Sequence, residues 1–174
     1  AKLLTRAGVK FSILGEKESC CGHFARRLGD EYLFQTQAEK NIETLKKHNA
    51  TKIVTTCPHC YHTLKHEYPQ FGGRFQVIHH TEIILDLLKK GTLKLSNAMD
   101  ATITYQDSCY LGRYNNIYSS PRNILKAIPD VKLTEMPHNK SRGLCCGAGG
   151  GGMWMEEAPD QRVNQFRTKE AVQV

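Results

Sequence analysis

Thirty-five residues separate Cys21 from Cys57, and thirty-five separate Cys109 from Cys145. Equal spacing of one residue type argues for overlapping pieces of a single repeated unit, so the second half of the chain must fold on the plan of the first. The complete unit reads as C, a gap of about 35, CC, a gap of about 35, then CxxC. The first half shows CC and CxxC (Cys20, Cys21, Cys57, Cys60), and the second shows C and CC (Cys109, Cys145, Cys146). Completing the first unit backwards places its opening cysteine before residue 1. Completing the second forwards places its CxxC at about position 182, beyond Val174. A fragment of a tandem repeat is therefore expected.

Seven cysteines are an odd number for a disulfide framework. Neighbouring Cα atoms lie about 3.8 Å apart, closer than bridged cysteines usually need, so the CC pairs are not ordinary disulfides. The start, "AKLLTRAGVKF", has no apolar signal-peptide region, and no apolar run nears the roughly 18 residues of a membrane span. Clustered thiols under these conditions point to metal binding in a reducing compartment, the cytoplasm or a cytoplasm-facing domain. The net charge of +7 comes from 24 Lys and Arg scattered among 17 acidic residues, with no interleaved aromatics and no reading motif. That pattern argues against nucleic acid and is compatible with a basic face for an acidic redox partner or with a merely solvated surface.

Hydrophobic patterning predicts a strand over 8–14, a long helix over 30–50 with Leu33, Ile42 and Leu45 as its apolar residues, and a strand over 52–57. That strand runs into a helix at "PHCYHTLKHEY", where Pro58 suits the first turn. A strand over 75–80 and the helix "TEIILDLLKK", ended by Gly91, complete the first half. The second half repeats the alternation: strand 101–107, helix 120–128, strand 131–136, the glycine-rich loop and a closing helix. Strands alternating with helices predict a parallel α/β architecture in two units, 1–95 and 96–174, joined near "KGTLKLSNAMD".

The motifs "SCCGH", "TCPHC", "DSCYLGR" and "LCCGAGGGGMW" resemble the cysteine-rich CCG domains of the heterodisulfide reductase catalytic-subunit family, in its B- and D-type members. That family also includes iron–sulfur subunits associated with glycolate, lactate and glycerol-3-phosphate oxidation. "CPHCYHTLKHEYPQFGG" and "CYLGRYNNIYSSPR" resemble most closely the iron–sulfur oxidoreductases that pass electrons from electron-transfer flavoprotein towards membrane quinone. The resemblance implies tandem Rossmann-like parallel-sheet units, each holding a [4Fe-4S] cluster on five cysteines, of non-cubane type in heterodisulfide reductase. It implies that Cys20, Cys21, Cys57 and Cys60 ligate one cluster, and Cys109, Cys145 and Cys146 another. The chain departs from the pattern by lacking the fifth ligand of the first set and the CxxC of the second. The implied activity is an electron relay between a flavoprotein or ferredoxin-type donor and a quinone or disulfide acceptor, with the rest of the parent chain or complex as partner. Disulfide cleavage at a cluster is the more strictly enzymatic version.

The chemistry suits these residue types. Iron–sulfur clusters prefer soft thiolates, and adjacent cysteines can reach two irons of one compact cluster. Glycines after the pair, Gly147 and Gly149 foremost, let backbone N–H groups approach and stabilise an anionic group. At "CPHC" a helix start favours thiolate.

Rival readings stay open on the residues alone. "CPHC" is also a redox dithiol with Cys57 as nucleophile, and CxxC plus CC can supply four thiolates to a structural zinc, including in an isolated fragment that has lost iron. His62 and His66, at about 100° per residue, fall opposite Cys57 and Cys60 and read as solvated surface residues. His79 and His80 read as structural residues at a strand end, with an outer-shell cluster contact as the alternative. "GAGGGG" matches the dinucleotide fingerprint through Gly147, Gly149 and Gly152, but a loop precedes it where a strand is required. Tyr105 and Tyr110 read as packing residues, Asp107 as a turn cap, and Met153 and Trp154 as packed against the glycine loop. No Ser/His/Asp set or paired carboxylates support hydrolysis.

Overall fold

The computed structural model describes residues 1–174, with residues 10–80 forming one compact unit and residues 1–9 with 81–174 another. The chain opens on helix α1 (Lys2–Arg6). Residues 8–14, expected as a strand, belong to no sheet, and Phe11 and Ile13 are exposed. Strand propensity is a preference for a pleated, half-buried surface, and without a paired neighbour it is not enough to make a strand.

In the 10–80 unit, α2 (His23–Arg27) leads to α3 (Glu31–Lys47), which starts where the Leu33 N–H donates to the Asp30 carboxylate at 2.9 Å. The buried stripe of α3 runs Phe34, Ala38, Asn41, Ile42, Leu45, whereas Leu33, expected among its apolar positions, is exposed. Phe34, Ala38 and Ile42 pack with Tyr68 as the core, flanked by Ala25, Leu64, Phe71 and Phe75. β1 (Lys52–Thr55) runs parallel to β2 (Gln76–His79) in the register Lys52↔Gln76 to Thr55↔His79. The crossover between them is α4 (Pro58–His62), then a π turn over Thr63–Glu67, then a 3₁₀ turn over Tyr68–Phe71.

In the other unit, α5 (His80–Lys89) packs Leu87, with Ile83, Ile84 and Leu88, on Ala7, Leu4 and Val9. β3 (Ala101–Ile103) and β4 (Val131–Leu133) pair in parallel, with α6 (Ser119–Lys126) between them in sequence, and α7 (Val163–Gln173) closes the chain. The second-half strands are shorter than expected because residues 105–107 turn from the sheet towards Arg122: Tyr105 lies under its guanidinium and Asp107 pairs with it. Each unit thus contains a parallel strand pair bridged by a helical crossover, the tandem α/β plan expected from the alternation. No helix is long and apolar enough to cross a membrane.

Candidate metal centre

β1 delivers Cys57 to the edge of α4 in extended backbone (φ −92°, ψ 122°), and Cys60 follows one helical turn later. The CC pair arrives from an earlier segment of the sequence, and Cys60 Sγ donates to Cys21 Sγ at 3.3 Å. Cys20, Cys21, Cys57 and Cys60 line a recess of about 430 Å³ together with His23 and His59. The four sequence-predicted cysteines of the first set are therefore brought to one place. They stand along its wall: no three His, Cys, Asp or Glu side chains converge as around a single ion.

The thiols divide their protons unequally. The hydrogen bond from Cys60, then the His59 ring 3.8 Å away and the N–H groups of Cys60 and His59, hold the Cys57 thiol well below its ordinary value against the opposing effect of burial. Cys60, hydrogen-bonded to both Cys21 and Cys57, is pushed well above its ordinary value, and Cys21 is brought down to about 7 chiefly by its bond from Cys60. A recess with anionic sulfur at Cys57 is suited to a soft cation.

The CC pairs of the two halves share one local geometry. Gly22 has φ +82° and its N–H donates to Cys20 Sγ at 3.5 Å; Gly147 has φ +75° and its N–H donates to Cys145 Sγ at 3.4 Å. Left-handed backbone, which glycine adopts without Cβ strain, folds each N–H back onto the first sulfur. In the second half the Ala148 N–H also donates to Cys146 Sγ at 3.4 Å. Burial raises the Cys146 thiol, but N–H groups of Ala148 and Gly149 bring it below its ordinary value. Cys109 is half-buried and its thiol is raised, first by burial and then by Cys145 and Cys146, so these three also sit within electrostatic reach of one another. Arg113 and Gln106 steady the approach to the pair by donating to the Gly143 and Leu144 carbonyls at 3.2 and 3.3 Å.

Several expectations need correction. His62 is not a surface residue: its side chain is only 15% exposed and its Nε2 lies 3.7 Å from Glu67 Oε1. Glu67, which Arg27 pairs, lies against His62 on the helix face opposite the cysteines. His66 is exposed as expected, with its ring 4.9 Å from that of His62. Met153 and Trp154, expected to pack on the glycine loop, are 60% and 62% exposed, on a turn in which Gly150 and Gly151 adopt left-handed backbone. His79 is a structural residue, 2% exposed, donating to the Thr56 carbonyl at 3.3 Å beside Cys57, and Tyr110 is buried and stacked on Tyr114. Asp107 does accept a backbone N–H, from Lys140 at 2.6 Å, but its main partner is Arg122.

Sequence reasoning missed His59, Gly22 and Arg122. The repetition of CCG at 20–22 and 145–147 was the available signal for Gly22; nothing in "SPRNILKAI" marks Arg122 as buried.

Burial holds His23, His62 and His79 each down at about 4 in the folded chain, against about 6.5 unfolded. The unfolded chain therefore binds more protons between these values, and the stabilisation present above about pH 6.5 is lost as the pH falls towards 4. The urea midpoint of the iron-free chain is expected to fall on acidification over this window, on the order of 1 kcal/mol per pH unit for each histidine. A midpoint flat from pH 7 to about 4.5 would contradict the burial of these rings.

The model of the cysteine-rich domain family CCG matches residues 1–65 and 103–174, and each matched stretch contains one of the Cys-Cys-Gly turns. The chain is 54% identical over 174 residues to a protein of Bacillus subtilis named as a probable iron–sulfur-binding oxidoreductase, FadF, covering 100% of this chain and 25% of that protein. It is 47% identical to the EtfAB:quinone oxidoreductase of Syntrophomonas wolfei, covering 96% of this chain and 24% of the relative. It is 40% identical to a subunit of the dihydromethanophenazine:CoB–CoM heterodisulfide reductase of Methanosarcina mazei, covering 87% and 38%. The chain thus spans a quarter to two-fifths of the length of these relatives. No solved structure matches it.

Proposed function

This chain belongs to the cysteine-rich CCG domain family, and from that premise we propose that it is an iron–sulfur electron-transfer module of a larger oxidoreductase. Cys20, Cys21, Cys57 and Cys60 hold one [4Fe-4S] cluster, and Cys109, Cys145 and Cys146 contribute to another. The repeat units divide near residue 96. A bound cluster supplies one-electron exchange at a potential set by its hydrogen bonds, charge and exposure. The chain's own residues supply the rest: Gly22, Gly147, Ala148 and Gly149 turn N–H groups towards ligand sulfurs, and His79 fixes the carbonyl beside Cys57. The names of the relatives support a quinone or disulfide acceptor, and the same reading takes a flavoprotein or ferredoxin-type donor and a place in the cytoplasm or at its membrane face.

One observation carries the reading: four thiols from two distant segments line a single recess. Four thiolates suit a tetrahedral zinc or an iron–sulfur cluster, and the name of the Bacillus subtilis relative favours iron and sulfur. Anaerobic reconstitution with iron and sulfide is expected to give a brown protein whose iron and acid-labile sulfide fall on Cys57→Ser and on Cys146→Ser. A colourless chain that takes up neither overturns the reading.

The opposite displacements of the Cys57 and Cys60 thiols favour one second reading, a dithiol oxidoreductase. Thiol–disulfide exchange that persists after complete iron removal and vanishes in Cys57→Ser would select it.

A further inference from the structure

Adjacent residues of an extended chain point to opposite sides, so Cys20 and Cys21 can face one recess only if the backbone between them is held out of that form. Gly22, with φ +82°, turns the backbone just after the pair and donates its N–H back to Cys20 Sγ. The pair itself is held by a polar chain inside the unit. Ser19 Oγ donates to Asn41 Oδ1 at 2.6 Å; Asn41 Nδ2 donates to the Cys20 carbonyl at 2.8 Å and to Tyr68 Oη at 3.0 Å; Tyr68 O–H donates to the Cys21 carbonyl at 3.2 Å. Both cysteine carbonyls are thereby seized, one by each side chain.

Asn41 occupies the apolar stripe of α3, between Ala38 and Ile42, at 8% exposure, and Tyr68 is fully buried. A buried amide in such a stripe is costly unless its hydrogen bonds are made, and aliphatic side chains would pack there without that demand. What it grips offsets that cost.

We propose that Asn41 and Tyr68 are positioning residues that set Cys20 and Cys21 side by side as ligands. The proposal rests on the cluster reading above and adds to it which residues outside the cysteines decide whether the pair can bind. In the second half the gripped carbonyls are those of Gly143 and Leu144, before the pair, so the clamp belongs to the first site.

The test compares the wild-type chain, Tyr68→Phe and Asn41→Leu after anaerobic reconstitution. Tyr68→Phe keeps the ring in the core and removes only the hydroxyl, so it carries the test if Asn41→Leu fails to fold. Partners that orient ligands typically affect metal affinity about 10–100-fold, so iron is expected to leave the first site for a chelator at least about tenfold faster in either variant. The paramagnetic resonance spectrum of the reduced cluster changes with it, a signature that loss of global stability alone does not move. Wild-type iron retention and spectrum in both variants overturn the clamp and leave the cluster reading standing. If wild-type chain takes up no iron, the cluster reading fails, and alkylation of Cys21 in the iron-free protein decides the clamp. Faster labelling in the folded variants supports it; equal labelling overturns it.

Discussion

Arg122→Met is expected to destabilise the chain by about 3–5 kcal/mol, the usual cost of removing one partner from a buried ion pair. The guanidinium forks onto Asp107 with two bonds of 2.7 Å, reaches Glu135 through Nε at 2.6 Å and Nη2 at 2.8 Å, and donates to the Tyr118 carbonyl at 3.1 Å. Its side chain is 7% exposed and that of Asp107 is 3% exposed, so the methionine variant strands a carboxylate with little water. Glu135, with 35% side-chain exposure, is screened and contributes far less. Arg122→Lys should fall between wild type and Met, because an ammonium cannot make the fork. Asp107 lies two residues before Cys109 and also grips the Lys140 N–H, five residues before Cys145, so the loss is expected to loosen both cysteine segments together. Urea denaturation of the iron-free chain measures the effect; a Met variant within about 0.5 kcal/mol of wild type would show that the pair contributes no net stability.

Gly22→Ala should be nearly as damaging, and Gly147→Ala markedly less so, although the two glycines make the same turn. At Gly22 a Cβ would lie 2.8 Å from Phe34 Cδ2 and 3.1 Å from Gln37 Oε1. Phe34 is fully buried and has no room to retreat. Left-handed backbone costs an alanine about 1–2 kcal/mol, and overpacking a filled core adds about 1–3 kcal/mol. At Gly147 the nearest atom to a Cβ is Val163 Cγ1 at 3.4 Å, an ordinary contact, so only the backbone term of about 1–2 kcal/mol applies. Denaturation midpoints for the two alanine variants would separate them; equal losses would mean that Phe34 yields and that the contact is soft.

The cysteine spacing made the repeat legible, and the alternation of strand and helix patterns made the parallel α/β plan legible, because both depend on periodicities that a chain must obey locally. Residues 8–14 show the limit of that logic: their composition favours a strand, yet pairing is a property of neighbours. His62 shows another, since periodicity places it opposite the cysteines but does not encode the packing of Glu67 and Arg27 that covers that face. Asn41 and Arg122 pass for ordinary helix residues because nothing in a single sequence distinguishes a buried, fully bonded polar group from a solvated one.

The π turn over Thr63–Glu67 acts on the phase of the crossover more than on its length. A π turn accommodates one residue more than the α form, and one residue of α-helix amounts to about 100° of rotation. The wide turn absorbs that extra residue, so everything after it, Tyr68 first, keeps the phase of a helix one residue shorter. Wound as regular α-helix, the same residues would leave the crossover almost as long but swing the phenol by about 100° away from the Cys21 carbonyl it now meets. The π turn thus lets this length of chain between CxxC and Tyr68 keep its direction, and with it the anchor of the cysteine pair.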